Sequence, residues 1–326
     1  MLRTGFLGCG TMGRLRAAAA VESGLCQVVG VCDSSPQAAA QLAAQVGAPA
    51  LDWDSLRGAE LDLLWVCTPT AAHVGAIAQA AGQVGAVFCE APLASSAAGG
   101  QAAAAACQRA DTLLLVGAYR ALPGFRNLRQ ACASGEVGQA QMFRLRLCDG
   151  WPPEKPGRPS MCSELAAPTL EYVAWLLGDL ERVYAQASRD AGVVLATARC
   201  HSGKLAHLEW NSAQPAGSRP YASLEVAGDA GVLALDSRRD AALDLMVQRG
   251  NPGLHAPFAE PAAYSQNPWL QEAQAAARAL QGQTTPLLPA VDEVLQSLRA
   301  ADALQRSLVE GTPQGVAAPD LAEERD

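Results

Sequence analysis

Residues 5–15, GFLGCGTMGRL, constrain this chain more tightly than any other stretch. An apolar, strand-like run ends at Gly8, glycines follow at positions 10 and 13, and residues 12–22 read as a helix. In a G-x-G-x-x-G turn the first glycine permits the tight bend, the second lets backbone approach a pyrophosphate, and the third lets helix and strand pack closely. The free N–H groups that open the helix, at Thr11 and Met12, add an attractive field for phosphate. The second apolar strand, CQVVGVCD, ends at Asp33, 20 residues beyond Gly13, where a carboxylate suits the ribose hydroxyls of a dinucleotide. Ser34, Ser35 and Pro36 follow, with no arginine to receive a 2′-phosphate, so NAD is expected in preference to NADP.

The alternation of strand and helix continues. LDLLWVCTPT reads as a third buried strand, AVFCE as a fourth and TLLLVGAY as a fifth, with helices near 71–84 and 94–109 between them. Near-continuous apolar strands separated by helices make a parallel sheet covered on both faces. From about residue 120 the rhythm changes. A helix near 123–134 leads into the long alternating strand QAQMFRLRLCD, a Pro-rich loop GWPPEKPGRPS and a helix over about 164–177. Strands follow near 182–187, 192–199, 205–211, 221–227 and 231–235, a succession that indicates an open, mainly antiparallel sheet. Helices near 268–282 and 290–310 return before a charged tail over 317–326. The expected class is α/β: an N-terminal Rossmann dinucleotide-binding domain over 1–120, then an α+β domain for substrate and oligomerisation over 121–326.

At 326 residues, half of them apolar and 17% charged, each of two domains can bury its own core. A net charge of −8 spread along the chain argues against nucleic acid or anionic membranes as partners and leaves a small-molecule substrate. The ten cysteines include no C-x-x-C pair and no Cys/His cluster, so no metal site is expected. Cys32, Cys67 and Cys89 sit in apolar runs as small hydrophobes. Reduced thiols, no signal-peptide pattern and no apolar run of the ~20 residues a membrane helix needs indicate a cytoplasmic protein.

Four further stretches carry a family resemblance. VCTPTAAHV presents Thr68, Pro69, Thr70 and His73; CEAPLA presents Glu90 and Ala91; GFRNLRQACASGEVG and SLEVAGDAGVLALD follow in the second half. In that order they resemble the TP-N-x-x-H turn, the E-K-P-L-A turn, the Ser-Gly-Glu-x-Gly entry to the second domain and the G-x-x-G-x-L strand pair of the glucose–fructose oxidoreductase/inositol dehydrogenase/MocA family. The resemblance covers nearly the whole chain. It implies a Rossmann domain followed by an α/β domain whose open sheet often mediates oligomers, hence a homo-oligomer, dimer or tetramer. It also implies that Thr68, Pro69, Thr70, His73, Glu90 and Ala91 lie beside the dinucleotide.

The resemblance breaks at the acid–base residues. Family dehydrogenases use the lysine of E-K-P together with an Asp-x-x-x-His on the helix before a W-L-x-G turn. Here those positions hold Ala91, Glu164 and Pro168. A positioned acid or base contributes ~10²–10⁴ in rate, and a methyl group supplies neither. Candidates for the missing role are Tyr119 and Arg120 at the tip of the fifth strand, Glu164 on the helix, and Lys155 in a second E-K-P inside the Pro-rich loop. His201, His207 and His255 show no ligand or triad spacing.

Three functions fit these residues. The favoured one is an NAD(P)-dependent oxidoreductase that transfers hydride to or from a small or conjugated carbonyl- or imine-type substrate, sugar-, polyol- or bilin-like, without the usual lysine. Biliverdin reductases, similar in the wider fold, read E-Y-P and set a precedent. The alternatives are a non-catalytic NAD(P)-binding regulatory or partner protein, and a lyase or isomerase with tightly held NAD. The intact fingerprint with Asp33 and Glu90 favours the first.

Overall fold

The computed structural model describes residues 1–148, 161–189, 192–215, 218, 220–238, 244–249 and 267–317; Lys155 and its loop lie outside the described residues. The chain divides into two compact units, Met1–Pro123 with Ser265–Val294, and Gly124–Tyr264 with Leu295–Asp326.

In the first unit β1 (Leu2–Leu7), α1 (Thr11–Glu22), β2 (Cys26–Cys32), α2 (Pro36–Val46) and a short α3 (Trp53–Arg57) precede β3 (Leu63–Val66). Then come α4 (Thr70–Ala80), β4 (Ala86–Cys89), α5 (Ala97–Arg109), β5 (Leu113–Val116) and a 3-10 turn at Tyr119–Ala121. The five strands form a sheet in the order β2-β1-β3-β4-β5, every pair parallel. Every residue of β3 (LLWV) and β4 (AVFC) is buried, the mark of strands covered on both faces. Trp65 on β3 stacks on Phe6 and packs at a tilt against Phe88, ring centroids 5.8 and 4.3 Å away. Its indole N–H donates to Thr4 Oγ1 at 3.0 Å, so the polar end of this large core residue is satisfied. Local chemistry sets the helix ends: Ser35 caps α2 by accepting from Ala38 N, Pro36 opens it, and Gly47 closes it in the left-handed region at φ 68°.

The second unit is built from α6 (Pro123–Ala133), β6 (Ala140–Cys148), α7 (Met161–Leu177), β7 (Leu180–Ala187), β8 (Val193–Cys200), β9 (Leu205–Asn211), β10 (Tyr221–Gly228), β11 (Gly231–Asp236) and β12 (Asp244–Arg249). Of the remaining elements, α8 (Pro268–Ala279) belongs to the first unit, and α9 (Val291–Glu310) and β13 (Gln314–Gly315) end the described chain. The eight-stranded sheet runs β12-β11-β10-β6-β9-β8-β7-β13. All its neighbours are antiparallel except β6 and β9, which pair in parallel from Met142↔Leu205 to Cys148↔Asn211. The open, mainly antiparallel sheet expected from the period-2 strands is therefore present. Burial alternates along β8, and one face carries cross-strand ion pairs, Arg144–Glu225 at 2.9 Å and Arg146–Glu209 at 2.7 Å. Pro168 lies inside α7, where it removes the N–H that the turn before it would receive. Tyr172, one turn on, is buried and donates its hydroxyl to Phe125 O at 2.8 Å.

Cys9, Cys26, Cys32, Cys67, Cys89, Cys107, Cys132, Cys148 and Cys200 are free thiols; among the described residues no His/Cys/Asp/Glu group could hold a metal, and no helix is long and apolar enough to cross a membrane.

Candidate functional site

Where β1, β2 and β3 end, a groove of about 780 Å³ opens in the first unit. Its walls include Gly8, Gly10, Thr11, Met12, Asp33, Ser34, Thr68 and Pro69, all expected from the sequence. Gly13, Thr70, His73, Glu90 and Ala91 do not line it.

The three glycines answer to different causes. Gly8 sits at φ +97°, and a Cβ there would stand 2.5 Å from the Cys67 carbonyl carbon and oxygen. A Cβ on Gly13 would stand 1.9 Å from Gly8 O. The fold itself demands both. A Cβ on Gly10 would meet nothing within 4 Å, so the chain leaves open space at the position that needs close approach to a pyrophosphate.

Asp33 Oδ2 accepts from Cys9 N at 2.6 Å and Oδ1 from Ser35 N at 2.8 Å. The carboxylate thus ties the glycine turn to the end of β2 and keeps further lone pairs for a ligand hydroxyl. Thr68 Oγ1, on the groove wall, is buried with no hydrogen-bond partner, a polar atom still owed one. The open space at Gly10, the orphaned Thr68 hydroxyl and Asp33 at the rim fit a dinucleotide. Burial, helped by Asp33, pushes the Cys9 thiol up to about 12, and burial, helped by Glu90, holds Cys67 well above the usual thiol range. Both remain neutral rather than reactive thiolates.

Several groove residues were missed in the sequence: Trp53 on α3, and Ala72, Gly75, Ala76 and Gln79 on α4. Trp53 Nε1 donates to Gln79 Oε1 at 2.7 Å, which fixes the indole in the wall. The spacing 72, 75, 76, 79 is one face of a helix, so a signal for the α4 residues was available. Trp53 offered none, because a five-residue helix leaves no periodicity to read.

Behind the groove, His73 is buried, with Nε2 2.8 Å from Thr68 O and Nδ1 2.9 Å from Pro92 O. It staples the turn after β3 to the E-A-P turn after β4. Ala91 sits in that turn, joined to Pro92 by a cis peptide bond. Glu90 is engaged by Arg16 of α1, through a contact from Nε to Oε1 and a bond of 3.1 Å from Nη2 to Oε2. Arg16 Nη1 reaches Glu272 of α8, whose other oxygen accepts from Ala118 N at 3.4 Å. The guanidinium is 2% exposed and lies over Trp65, Phe88 and Trp269, 5.7, 4.9 and 4.6 Å from their centroids. Burial opposes its charge, but Glu272 and Glu90 together outweigh burial, so Arg16 is held charged. Glu272, 1% exposed, is pushed above the usual glutamate range by burial, which Arg16 offsets only in part.

Tyr119 and Arg120 occupy the 3-10 turn after β5; Arg120 is buried and its Nη2 lies 2.9 Å from Glu293 Oε1. Glu164 and Pro168 lie on α7 in the second unit.

Comparison with known proteins agrees with this architecture. Residues 2–118 match the oxidoreductase family with an NAD-binding Rossmann fold, and residues 125–234 match the GFO/IDH/MocA C-terminal domain. Inositol 2-dehydrogenase of Rhizobium meliloti (strain 1021) is 27% identical across 95% of this chain and 97% of its own length. Levoglucosan dehydrogenase in complex with NADH and L-sorbose has the same fold, with a TM-score of 0.83 at 18% identity over 97% of this chain and 99% of that one. So does an oxidoreductase from Agrobacterium radiobacter in complex with NAD+, L-tartaric acid and magnesium, at 0.81 and 20% over 97% and 98% of the two chains. With both halves matched and the glycine fingerprint built as such a fold requires, the chain belongs to the GFO/IDH/MocA oxidoreductase family.

Proposed function

We propose that this chain is an NAD-dependent oxidoreductase acting on a small carbonyl- or imine-type substrate, sugar-, polyol- or bilin-like, without a lysine at the reacting centre. The observation that carries the reading is the groove: open at Gly10, edged by the Asp33 carboxylate and carrying the unpartnered Thr68 hydroxyl. Relatives named for inositol and levoglucosan support the sugar and polyol classes. When bound, the nicotinamide supplies or accepts the hydride. Asp33 grips the ribose hydroxyls, and the N–H groups at Thr11 and Met12 face the phosphates. Ala91 moves no proton, so that role falls to Tyr119, Glu164 or Lys155, with Arg120 a hydrogen-bond donor. The proposal includes a cytosolic homo-oligomer, dimer or tetramer, supported by family analogy and the free thiols.

Two measurements test it. Calorimetric titration is expected to give NADH at least about tenfold tighter than NADPH, since Asp33 repels a 2′-phosphate, with Asp33→Ala narrowing the gap. Equal or reversed affinities refute that preference. Nicotinamide absorbance is then followed with a panel of sugars, polyols, keto acids, imines and bilins, and turnover of at least one is expected. Tight NADH binding with no turnover anywhere supports the second reading, a non-catalytic NAD-binding regulatory protein, which Ala91 and Pro168 at the family's lysine and histidine positions favour.

A further inference from the structure

A second cleft, of about 480 Å³, lies wholly within the second unit and shares no residue with the dinucleotide groove. Arg129 and Cys132 at the end of α6, Gly138 in the following turn, Leu176, Lys204 and Asp229 line it. Arg129 is pinned with its guanidinium carbon 5.4 Å from the centroid of the Trp175 ring. Its Nε is buried without a hydrogen-bond partner, and among the described residues neither Arg129 nor Lys204 has a carboxylate partner. Asp229, the one acid among the lining residues, is already engaged: its Oδ1 accepts from Gln139 N at 2.7 Å. Gly138 permits that approach, since a Cβ there would stand 2.0 Å from the same oxygen. The wall therefore presents two cations against one occupied carboxylate.

A buried N–H such as Arg129 Nε is costly to leave without an acceptor, and native structures pair such groups with protein, water or an ion. A planar guanidinium fork and an ammonium lining one cleft are a donor set that recognises oxyanions. The volume lies within the range of small-molecule sites, about 300–1,000 Å³, and exceeds what a bare ion fills. We propose that this cleft binds a small organic oxyanion, a phosphate ester or a carboxylate, whose anionic oxygens are held by Arg129 and Lys204.

The test uses the full chain, with inorganic phosphate in one arm and citrate in the other, by calorimetry and tryptophan emission at constant ionic strength. Saturable binding in at least one arm is expected, with the arm that responds naming the ligand chemistry. Arg129→Gln is expected to weaken it about ten- to a hundredfold. Lys204→Gln, expected to melt like the parent, weakens it too and keeps the test open if the arginine variant fails to fold. The emission change is expected to vanish in Trp175→Phe. Absence of saturable binding in both arms overturns the proposal. So does binding that survives unchanged in both cleft variants, which assigns the anion to the glycine turn of the dinucleotide groove.

Discussion

Arg16→Met is expected to lower the unfolding free energy by about 3–5 kcal/mol at neutral pH, the cost of removing one partner from a buried ion cluster. Methionine keeps much of the packing against Trp65, Phe88 and Trp269, so the loss reports the charge left uncompensated on Glu90 and Glu272. The pH dependence has a definite sign. Burial already raises the Glu272 pKa above the ordinary glutamate value. Protonation therefore favours the folded state, and that contribution is present below the ordinary value and lost as pH rises through the folded one. Without Arg16 the folded value rises further, so the penalty is full near neutrality and shrinks toward about pH 5. Glu272→Gln, which leaves Arg16 and Glu90 balanced one to one, is expected to cost less than about 1.5 kcal/mol. Urea unfolding of the three proteins at several pH values measures all of this. An Arg16→Met loss below about 1 kcal/mol, or one that ignores pH, rejects the uncompensated-charge account.

Gly13→Ala and Gly10→Ala are expected to fail in opposite ways. The first forces a methyl to within 1.9 Å of Gly8 O, a backbone atom that cannot swing aside. Overpacking of this kind costs about 1–3 kcal/mol or more, and here it also displaces the glycine turn, so melting temperature and dinucleotide affinity fall together. The second places its methyl in open space, so stability is expected to stay within about 0.5 kcal/mol of the parent. NADH affinity is nevertheless expected to drop at least about tenfold, because the methyl stands where the pyrophosphate must approach. Thermal unfolding and calorimetry on both variants decide it. A Gly10→Ala protein that binds NADH like the parent removes the pyrophosphate from this turn.

Most of what makes the first unit a dinucleotide-type fold was legible in the chain. Five apolar runs separated by helices, three glycines at fixed spacing and Asp33 at a strand end are local patterns, and each reflects a constraint within about one turn or strand. In the second unit the period-2 strands gave the open sheet, but not β12, nor the two-residue β13, which is too short to leave a pattern.

Side-chain partnerships were decided only by the folded chain. The cofactor-side role expected of Glu90 came from its place in the chain, whereas only the fold set it against Arg16, 74 residues away, and brought Glu272 to the same guanidinium from 256 residues away. Arg120 gained Glu293, Trp53 gained Gln79, and Arg129 was left facing a cleft without an acceptor. Periodicity and turn chemistry act between near neighbours and so are written in order along the chain. Pairing of buried charges depends on which distant elements the packing brings within about 3 Å, and no local pattern encodes that distance.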